Sequence, residues 1–206
     1  MTVTAKDPIR RGRKFDQVLS GARTVFLRDG FERASVDDIA REAGVSKATL
    51  YSYFPDKSLV FIEVAKAECQ RQTTEALALI DDRATVRGVL AMAAERMVDF
   101  LMSDFGQRVF RICVAEGQRF PELAREFYRS GPLMIRDTLA HYLRCAGARG
   151  EVRIEDYDLA AEQFMQLCKA DVHERLIFGM ADALTPADRR RTIDSAVDMF
   201  MARYGV

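Results

Sequence analysis

The segment AGVSKATLYSYF, residues 43–54, combines side chains that rarely share one short helix. It contains one basic residue, several hydroxyl groups and two phenols, with small residues between them. Lysine, hydroxyl and phenol groups donate hydrogen bonds to phosphate oxygens. Lysine also donates to guanine acceptors, and alanine and threonine methyl groups contact thymine. The residues with this chemistry are Ser46, Lys47, Ala48, Thr49, Tyr51 and Tyr53.

Local signals predict two short helices joined by a turn at this segment. Ser35, with Asp38 three residues later, predicts a capped helix that ends near Ala43. Gly44 fits a turn that requires positive φ, and Ser46 can cap the next helix. Pro55 disfavours helical geometry at the preceding residue, so this second helix is short. Two capped helices around a glycine turn are the parts of a helix-turn-helix, whose second helix enters the DNA major groove.

Leu50 and Phe54 are four residues apart, so we expect both to face the core of their own domain. Lys57, at the start of the following helix, is a further candidate for phosphate contact. An ordinary helical hairpin at a domain edge is the alternative. Whether Lys47 reads bases or holds phosphate stays open at this stage. The predicted DNA-binding residues are Ser35, Ser46, Lys47, Ala48, Thr49, Tyr51, Tyr53 and Lys57.

Helical spacing dominates the whole chain and no segment alternates like a strand, so we predict an all-α fold. Three short helices, the first stopped by Gly30, precede a long helix that starts at Asp56 and runs toward Ile80. Later helices follow as a bundle, with residues 146–152 as a loop. They are predicted at 85–103, 107–116, 121 to a break at Gly131–Pro132, 133–145, 157–178, and from Thr185–Pro186 to Tyr204.

Composition and charge narrow the class of protein. Half of the 206 residues are hydrophobic and 30% are charged, which is typical of a globular chain. No apolar run approaches the roughly 18 residues that span a bilayer, and the N-terminus lacks a secretory signal. We therefore expect a cytoplasmic protein without a membrane partner. Residues 1–57 carry 11 Lys+Arg against 8 Asp+Glu, a balance of +3 that favours a polyanion partner. Much of this excess is in RRGRK, Arg10 to Lys14, which is either a frayed terminus or a DNA-contacting arm.

The four cysteines are Cys69, Cys113, Cys145 and Cys168, with no CxxC pair and no nearby histidine cluster. This spacing argues against a zinc site, and we expect neither a metal nor a cofactor. A catalytic pair of Cys168 and His173 is the enzyme alternative. Five residues along a helix place two side chains about 140° apart, so we predict that the chain is not an enzyme. A helical module that has lost DNA binding is a third alternative, which the basic and aromatic residues disfavour.

The segment SVDDIAREAGVSKATLYSYFPDKSLV, residues 35–60, closely resembles the signature of the TetR family of bacterial transcriptional regulators. Residues 106–132 are also similar to the AefR-like subgroup. The resemblance implies a DNA-binding domain over residues 1–57 and a ligand-binding and dimerisation domain over 58–206. It further implies a homodimer on a palindromic operator, usually as a repressor, released by a ligand inside the C-terminal bundle.

The resemblance assigns the apolar residues of the C-terminal region to two roles. We expect a small hydrophobic or amphipathic ligand, although such side chains are more often plain core. The expected pocket residues are Met97, Leu101, Phe110, Cys113, Phe127, Phe164, Met165 and Cys168. The expected dimer interface uses the last two helices, with His173, Ile193, Val197, Phe200, Met201 and Tyr204.

Overall fold

The computed structural model describes residues 12–78, 84–180 and 185–206. Across these ranges the backbone is helical without a named strand, which confirms the predicted all-α fold. Val152 and Gly205 form an isolated antiparallel bridge. The helices are α1 (Arg13–Arg33), α2 (Val36–Glu42), α3 (Lys47–Tyr53), α4 (Lys57–Ala78), α5 (Val86–Met102), α6 (Asp104–Glu116), α7 (Pro121–Tyr128), α8 (Met134–Ala148), α9 (Tyr157–Leu167), α10 (His173–Ile177) and α11 (Pro186–Tyr204).

The chain forms two compact units, Met1–Ala67 (unit 1) and Glu68–Val206 (unit 2). The helix α4 begins in unit 1 and ends in unit 2. Its predicted end near Ile80 lies outside the described residues. The functional division at residues 57 and 58 stays a prediction.

Unit 1 is packed around the inner face of α1. Phe15, Val18 and Phe26 are buried, at the helical spacing that the sequence predicts. Gly30 has φ of 74°, which breaks the helical path at the predicted stop. Gly21 lets α2 approach closely, since a Cβ there would lie 2.6 Å from the backbone nitrogen of Ala43. A glycine in α1 therefore fixes how closely the helix-turn-helix packs.

Unit 2 is built around one apolar core formed chiefly by α5, α8, α9 and α11. The ring of Phe164 in α9 lies 5.3 Å from that of Phe200 in α11, edge to face. At the surface, Arg189 makes two hydrogen bonds to Asp99, at 2.5 and 2.9 Å, which join α11 to α5. Unit 2 therefore has an apolar core, and ion pairs such as Arg189–Asp99 lie at its surface.

Two predicted boundaries in unit 2 are wrong. The expected break at Gly131–Pro132 is a wider π-helical turn, Arg129–Leu133, which continues into α8. Proline cannot donate the usual backbone hydrogen bond, and a widened turn accommodates its ring without ending the helix. The predicted helix 157–178 is interrupted after Leu167, and Asp171 adopts φ of 64° in the turn before α10 begins.

Two smaller boundaries also differ from expectation. The helix α6 starts at Asp104, because Ser103 caps it by accepting a hydrogen bond from the Gly106 N–H. The helix α8 extends to Ala148, so the predicted loop at 146–152 is shorter than expected. Its turn depends on Gly150, which has φ of 78°.

Candidate nucleic-acid interface

The helices α2 and α3 begin at the predicted side-chain caps. Ser35 Oγ accepts a hydrogen bond from the Asp38 N–H at 3.0 Å and donates to the Asp38 carboxylate. This second bond lowers the pKa of Asp38, with help from Arg41. Between the helices, Gly44 has φ of 63°. The predicted caps and turn are therefore confirmed, and they form a helix-turn-helix.

Ser46 fixes the start of α3. Its Oγ accepts a hydrogen bond from the Thr49 N–H at 3.0 Å and lies 2.8 Å from Thr49 Oγ1. The two hydroxyls therefore bond to each other in the cap. Ser46 and Thr49 thus define where the helix begins as well as being candidates for contact with DNA.

The inner face of α3 is apolar. Leu50 is fully buried and Phe54, at the end of the helix, is 1% exposed. The Phe54 ring lies 5.4 Å from that of Phe15 in α1. The predicted anchoring of α3 to its own domain is confirmed.

The outer face of α3 presents Lys47, Ala48 and Tyr51, all exposed. At about 100° per residue these three cover a single arc of about 100°. Ser52 is exposed and extends the arc, although its hydroxyl donates to the Thr49 carbonyl at 2.6 Å. Its position one turn after Ala48 is the sequence signal that could have identified Ser52 as a candidate.

Tyr53 and Thr49 are on the other side of α3. The Tyr53 ring is half-buried and lies 5.8 Å from that of Phe15, edge to face. Thr49 is also half-buried. Both are among the predicted DNA-binding residues, which we expected on the outer face of the helix. Packing against α1 turns Tyr53 aside, because its ring covers apolar surface that would otherwise be wet.

Lys57 has partners within unit 1. Its Nζ donates to the carbonyl oxygens of Phe31 at 2.8 Å and Ala34 at 3.0 Å. The ammonium also lies 4.3 Å from the centre of the Phe31 ring. Lys57 therefore joins the start of α4 to the end of α1, and only its third N–H is left for phosphate. Ser35 is similar, because its hydroxyl is occupied by the cap.

Carboxylates lie beside several of the basic groups of unit 1. Lys47 Nζ lies 2.6 Å from Asp37 Oδ1, and Arg41 lies 2.9 Å from Asp38. Arg13 and Lys14 are exposed in the first turn of α1. The rest of the predicted basic arm, at Arg10 and Arg11, lies outside the described residues. Asp37 was not predicted as a site residue, because only the packing of α2 and α3 brings it to Lys47.

Comparison with known families identifies both parts of the chain. Residues 18–64 match the N-terminal model of the bacterial regulatory proteins of the tetR family. Residues 88–206 match the C-terminal domain of AefR-like transcriptional repressors. The chain belongs to the TetR family. It is a DNA-binding transcriptional regulator of the repressor type, in a family of regulators and not of enzymes.

Individual relatives agree with this membership. The Escherichia coli K12 regulator UidR is 27% identical over 139 residues, 66% of this chain and 67% of UidR. A TetR-family regulator of Mesorhizobium loti has a TM-score of 0.80 and 26% identity, covering 97% of this chain and all of its own. The flavonoid-responsive regulator FrrA has a TM-score of 0.69 and 34% identity, covering 95% and 98%.

In this TetR-family chain the expected pocket residues differ in burial. Phe164, Met165 and Cys168 are buried, and the first and last of these belong to the unit 2 core. Phe110 is 41% exposed. The remaining four are half-buried, namely Met97, Leu101, Cys113 and Phe127. The structure therefore separates the set into core residues and residues nearer the surface.

Burial shifts the pKa values of the titratable groups near these residues. It raises the pKa of Cys168 to about 12 and, with a smaller contribution from Cys69, that of Cys113 to about 12. His173 lies 5.0 Å from Phe110, ring centre to ring centre, and burial followed by Lys169 lowers its pKa. Its Nδ1 is buried without a hydrogen-bond partner in the described part of the chain. The thiols are therefore neutral near pH 7, and the imidazole favours its neutral form.

The predicted dimer residues on α11 pack largely within their own chain. Ile193, Val197 and Phe200 are buried in the unit 2 core, and Met201 and Tyr204 pack beside it. Their role in a dimer stays a prediction, and within the chain α11 packs against α5 and α9. His173 likewise packs on Phe110 of the same chain.

The described ranges contain neither a membrane-spanning helix nor a cluster of metal-binding side chains. No helix there is long and apolar enough to cross a membrane. Residues 12–78, 84–180 and 185–206 also contain no group of three or more His, Cys, Asp or Glu that could hold a metal ion.

Proposed function

We propose that this protein binds a two-fold symmetric operator as a homodimer through α3 and is released by a small molecule bound in unit 2. The outer arc of α3 is the observation that carries the proposal. Lys47 and Tyr51 supply hydrogen-bond donors to base edges and phosphates there, and Ala48 allows close approach to the groove. Ser46, Thr49 and Tyr53 hold α3 in place, with phosphate contacts as a secondary role. Ser35 caps α2 and Lys57 joins α4 to α1, and each has the same secondary role.

The proposed dimer uses the outer faces of α9 and α11. Leu159 in α9 is 52% exposed and Met199 in α11 is 57% exposed. The two helices are joined by a hydrogen bond from the Tyr204 hydroxyl to Gln163 Oε1 at 2.6 Å. Large exposed apolar side chains on neighbouring helices favour burial against a second copy. A dimer is also needed to place two recognition helices in successive major grooves, about 34–36 Å apart.

The proposed ligand is a small hydrophobic or amphipathic molecule. Met97, Leu101, Cys113 and Phe127 are half-buried, so they can line a pocket without first exposing the Phe164 core. FrrA, at 34% identity over most of both chains, is named as flavonoid-responsive, which supports flavonoids as first probes. Ligand would favour a conformation in which the two α3 helices no longer match the groove spacing, with α4 as the covalent connection.

DNA binding is tested by selecting duplexes from a random-sequence pool with the purified protein, then measuring affinity by fluorescence anisotropy. Lys47→Ala and Tyr51→Ala should each weaken binding about tenfold, as expected for loss of a direct contact. Tyr128→Ala is the matched control, because Tyr128 in unit 2 is similarly exposed, at 53% against 48% for Tyr51. Unchanged affinity in both α3 variants, with circular dichroism like the wild type, would show that α3 is not the reading helix.

The dimer and the ligand require separate measurements. Sedimentation equilibrium should give a dimer for the wild type. Met199→Glu should shift the equilibrium toward monomer, because dimerisation would bury the new carboxylate. Phe178→Glu, at a 77% exposed position outside the proposed interface, should leave the mass unchanged. A flavonoid titrated into the protein–DNA complex should lower the anisotropy. A wild-type protein that sediments as a monomer would contradict the proposed dimer. If no flavonoid released more DNA than a solvent blank, the result would contradict a flavonoid-like ligand.

A further inference from the structure

A carboxylate of α2 lies against the one lysine of α3. Asp37 Oδ1 lies 2.6 Å from Lys47 Nζ. Asp37 is in the first turn of α2 and Lys47 is the first residue of α3, so the pair crosses the helix-turn-helix. Both side chains remain more than half exposed, at 59% and 54%. The pair is therefore part of the surface that carries the arc of α3.

Neighbouring charges in unit 1 have other partners. Arg41 pairs with Asp38 at 2.9 Å, and Arg28 makes two hydrogen bonds to Asp29 at 3.0 and 2.8 Å. Glu42 lies 3.8 Å from Arg28. Asp37 is therefore not part of these pairs, and Lys47 is the cation that it faces.

The pair leaves Lys47 able to read DNA. An ammonium has three N–H donors, and one is directed at Asp37. The other two can donate to guanine acceptors while the pair is intact. The long lysine side chain otherwise has many rotamers, so Asp37 keeps its ammonium near the start of α3, where recognition helices contact bases.

The same restraint opposes binding to unrelated DNA. Non-specific complexes depend on lysine and arginine charges that neutralise phosphates, and each such contact releases counterions. While the pair is intact, Asp37 already neutralises the Lys47 charge, so a phosphate contact by Lys47 gains less, whereas guanine acceptors carry no formal charge. The Asp37 carboxylate also repels phosphate near that position.

We propose that Asp37 is a positioning residue that determines specificity, because it holds Lys47 for base contact and keeps it from non-specific phosphate contact. This proposal rests on the proposed DNA binding through α3. The ligand that Asp37 acts against is double-stranded DNA of unrelated sequence, which competes with the operator for the same surface.

The test compares affinity for a duplex selected by the wild type with affinity for a scrambled duplex of the same composition, across a series of salt concentrations. For Asp37→Asn, affinity for the scrambled duplex should rise and the specificity ratio should fall about fivefold, the upper range for an exposed ion pair. The dependence of log affinity on log salt should steepen by about one phosphate contact on the scrambled duplex. Asp37→Glu keeps the charge and should stay near the wild-type ratio.

Two controls separate positioning from general charge. Glu42→Gln removes one negative charge from the same helix. It should change the specificity ratio little, because Arg28 still pairs with Asp29. In a Lys47→Ala background, Asp37→Asn should no longer change the ratio. Thermal melting by circular dichroism checks that each variant is folded.

Three results would overturn the inference. The first is an unchanged specificity ratio in Asp37→Asn, whether both affinities rise equally or neither moves. The second is an equal loss of specificity in Glu42→Gln, and the third is an effect that survives Lys47→Ala. A wild-type protein that enriches no duplex at all would instead overturn the proposed function, and this inference with it.

Discussion

In unit 1 the helix-turn-helix consists of helices of seven residues each, α2 and α3, whereas α5, α8 and α11 of unit 2 have 17, 15 and 19. Such short helices are marginal by themselves, so caps and close approach to α1 define them. The longer helices of unit 2 are joined by one extended apolar core. The helix-turn-helix therefore depends on a few local contacts, while unit 2 depends on the packing of one large apolar core.

Loss of a buried ring is the strongest way to test this comparison, because each unit has an equivalent one. Phe54→Ala in unit 1 and Phe164→Ala in unit 2 should each lower the free energy of unfolding by about 3–5 kcal/mol. Both side chains are 1% exposed. Urea titration followed by circular dichroism measures this loss. Phe178→Ala, at a 77% exposed position, is the control and should change stability by less than about 0.5 kcal/mol.

The same glycine substitution should have opposite effects in the two units. Gly21→Ala places a Cβ 2.6 Å from backbone of Ala43, so it should destabilise unit 1 by about 1–3 kcal/mol. Gly88→Ala meets only Thr85 Oγ1, at 3.3 Å, and should stabilise α5 by up to about 1 kcal/mol. Thermal melting of the two variants checks the signs. Equal effects would mean that α1 and α2 do not approach as described.

Removing a cap should separate stability from DNA binding. Ser46→Ala and Thr85→Ala each remove a hydroxyl that accepts a backbone N–H, from Thr49 and Gly88 respectively. Each should lower stability by about 1 kcal/mol. Only Ser46→Ala should also weaken binding to the selected duplex, because it frays the start of α3. A matching loss of affinity in Thr85→Ala would argue that general stability, not the α3 cap, controls binding.

A small pH effect should be confined to unit 2. Burial lowers the pKa of His173 in the folded chain below its ordinary value near 6.5. The unfolded chain then binds more protons in this range, so stability is full above about pH 6.5 and falls as pH drops toward the lowered pKa. His173→Gln should flatten the dependence of the urea midpoint on pH between about pH 7.5 and 5.5. A wild-type midpoint that rises on acidification would contradict the burial of this imidazole.

Much of unit 1 could be predicted from the sequence because its signals are local. Ser35, Gly44 and Ser46 each act within four residues, and these caps and the turn are found as predicted. Leu50 and Phe54 follow helical periodicity, so their burial was also predictable. The packing of Tyr53 on Phe15 and the hydrogen bonds of Lys57 were not predictable, because Phe15 and the carbonyls of Phe31 and Ala34 are distant in sequence.

Unit 2 was less predictable, because an apolar stripe indicates which face of a helix is buried but not which helix packs against it. Ile193, Val197 and Phe200 are buried in the core of their own chain, where α11 packs against α5 and α9, although the same stripe suits a dimer surface. A proline also has two outcomes, a break or a widened turn, and the surroundings of Pro132 select the turn.

The amino-acid sequence was enough to predict the all-α class, the capped helix-turn-helix and the family signature, because each depends on periodicity, caps or residue identities that lie close together in the chain. The packing of the helices was needed to show which candidate residues face outward, which apolar side chains are core, and that Asp37 contacts Lys47. The two kinds of interaction differ in how far apart their partners lie along the chain. Hydrogen bonds within one turn depend on neighbours along the chain, whereas ring packing and ion pairs between helices depend on how the helices approach.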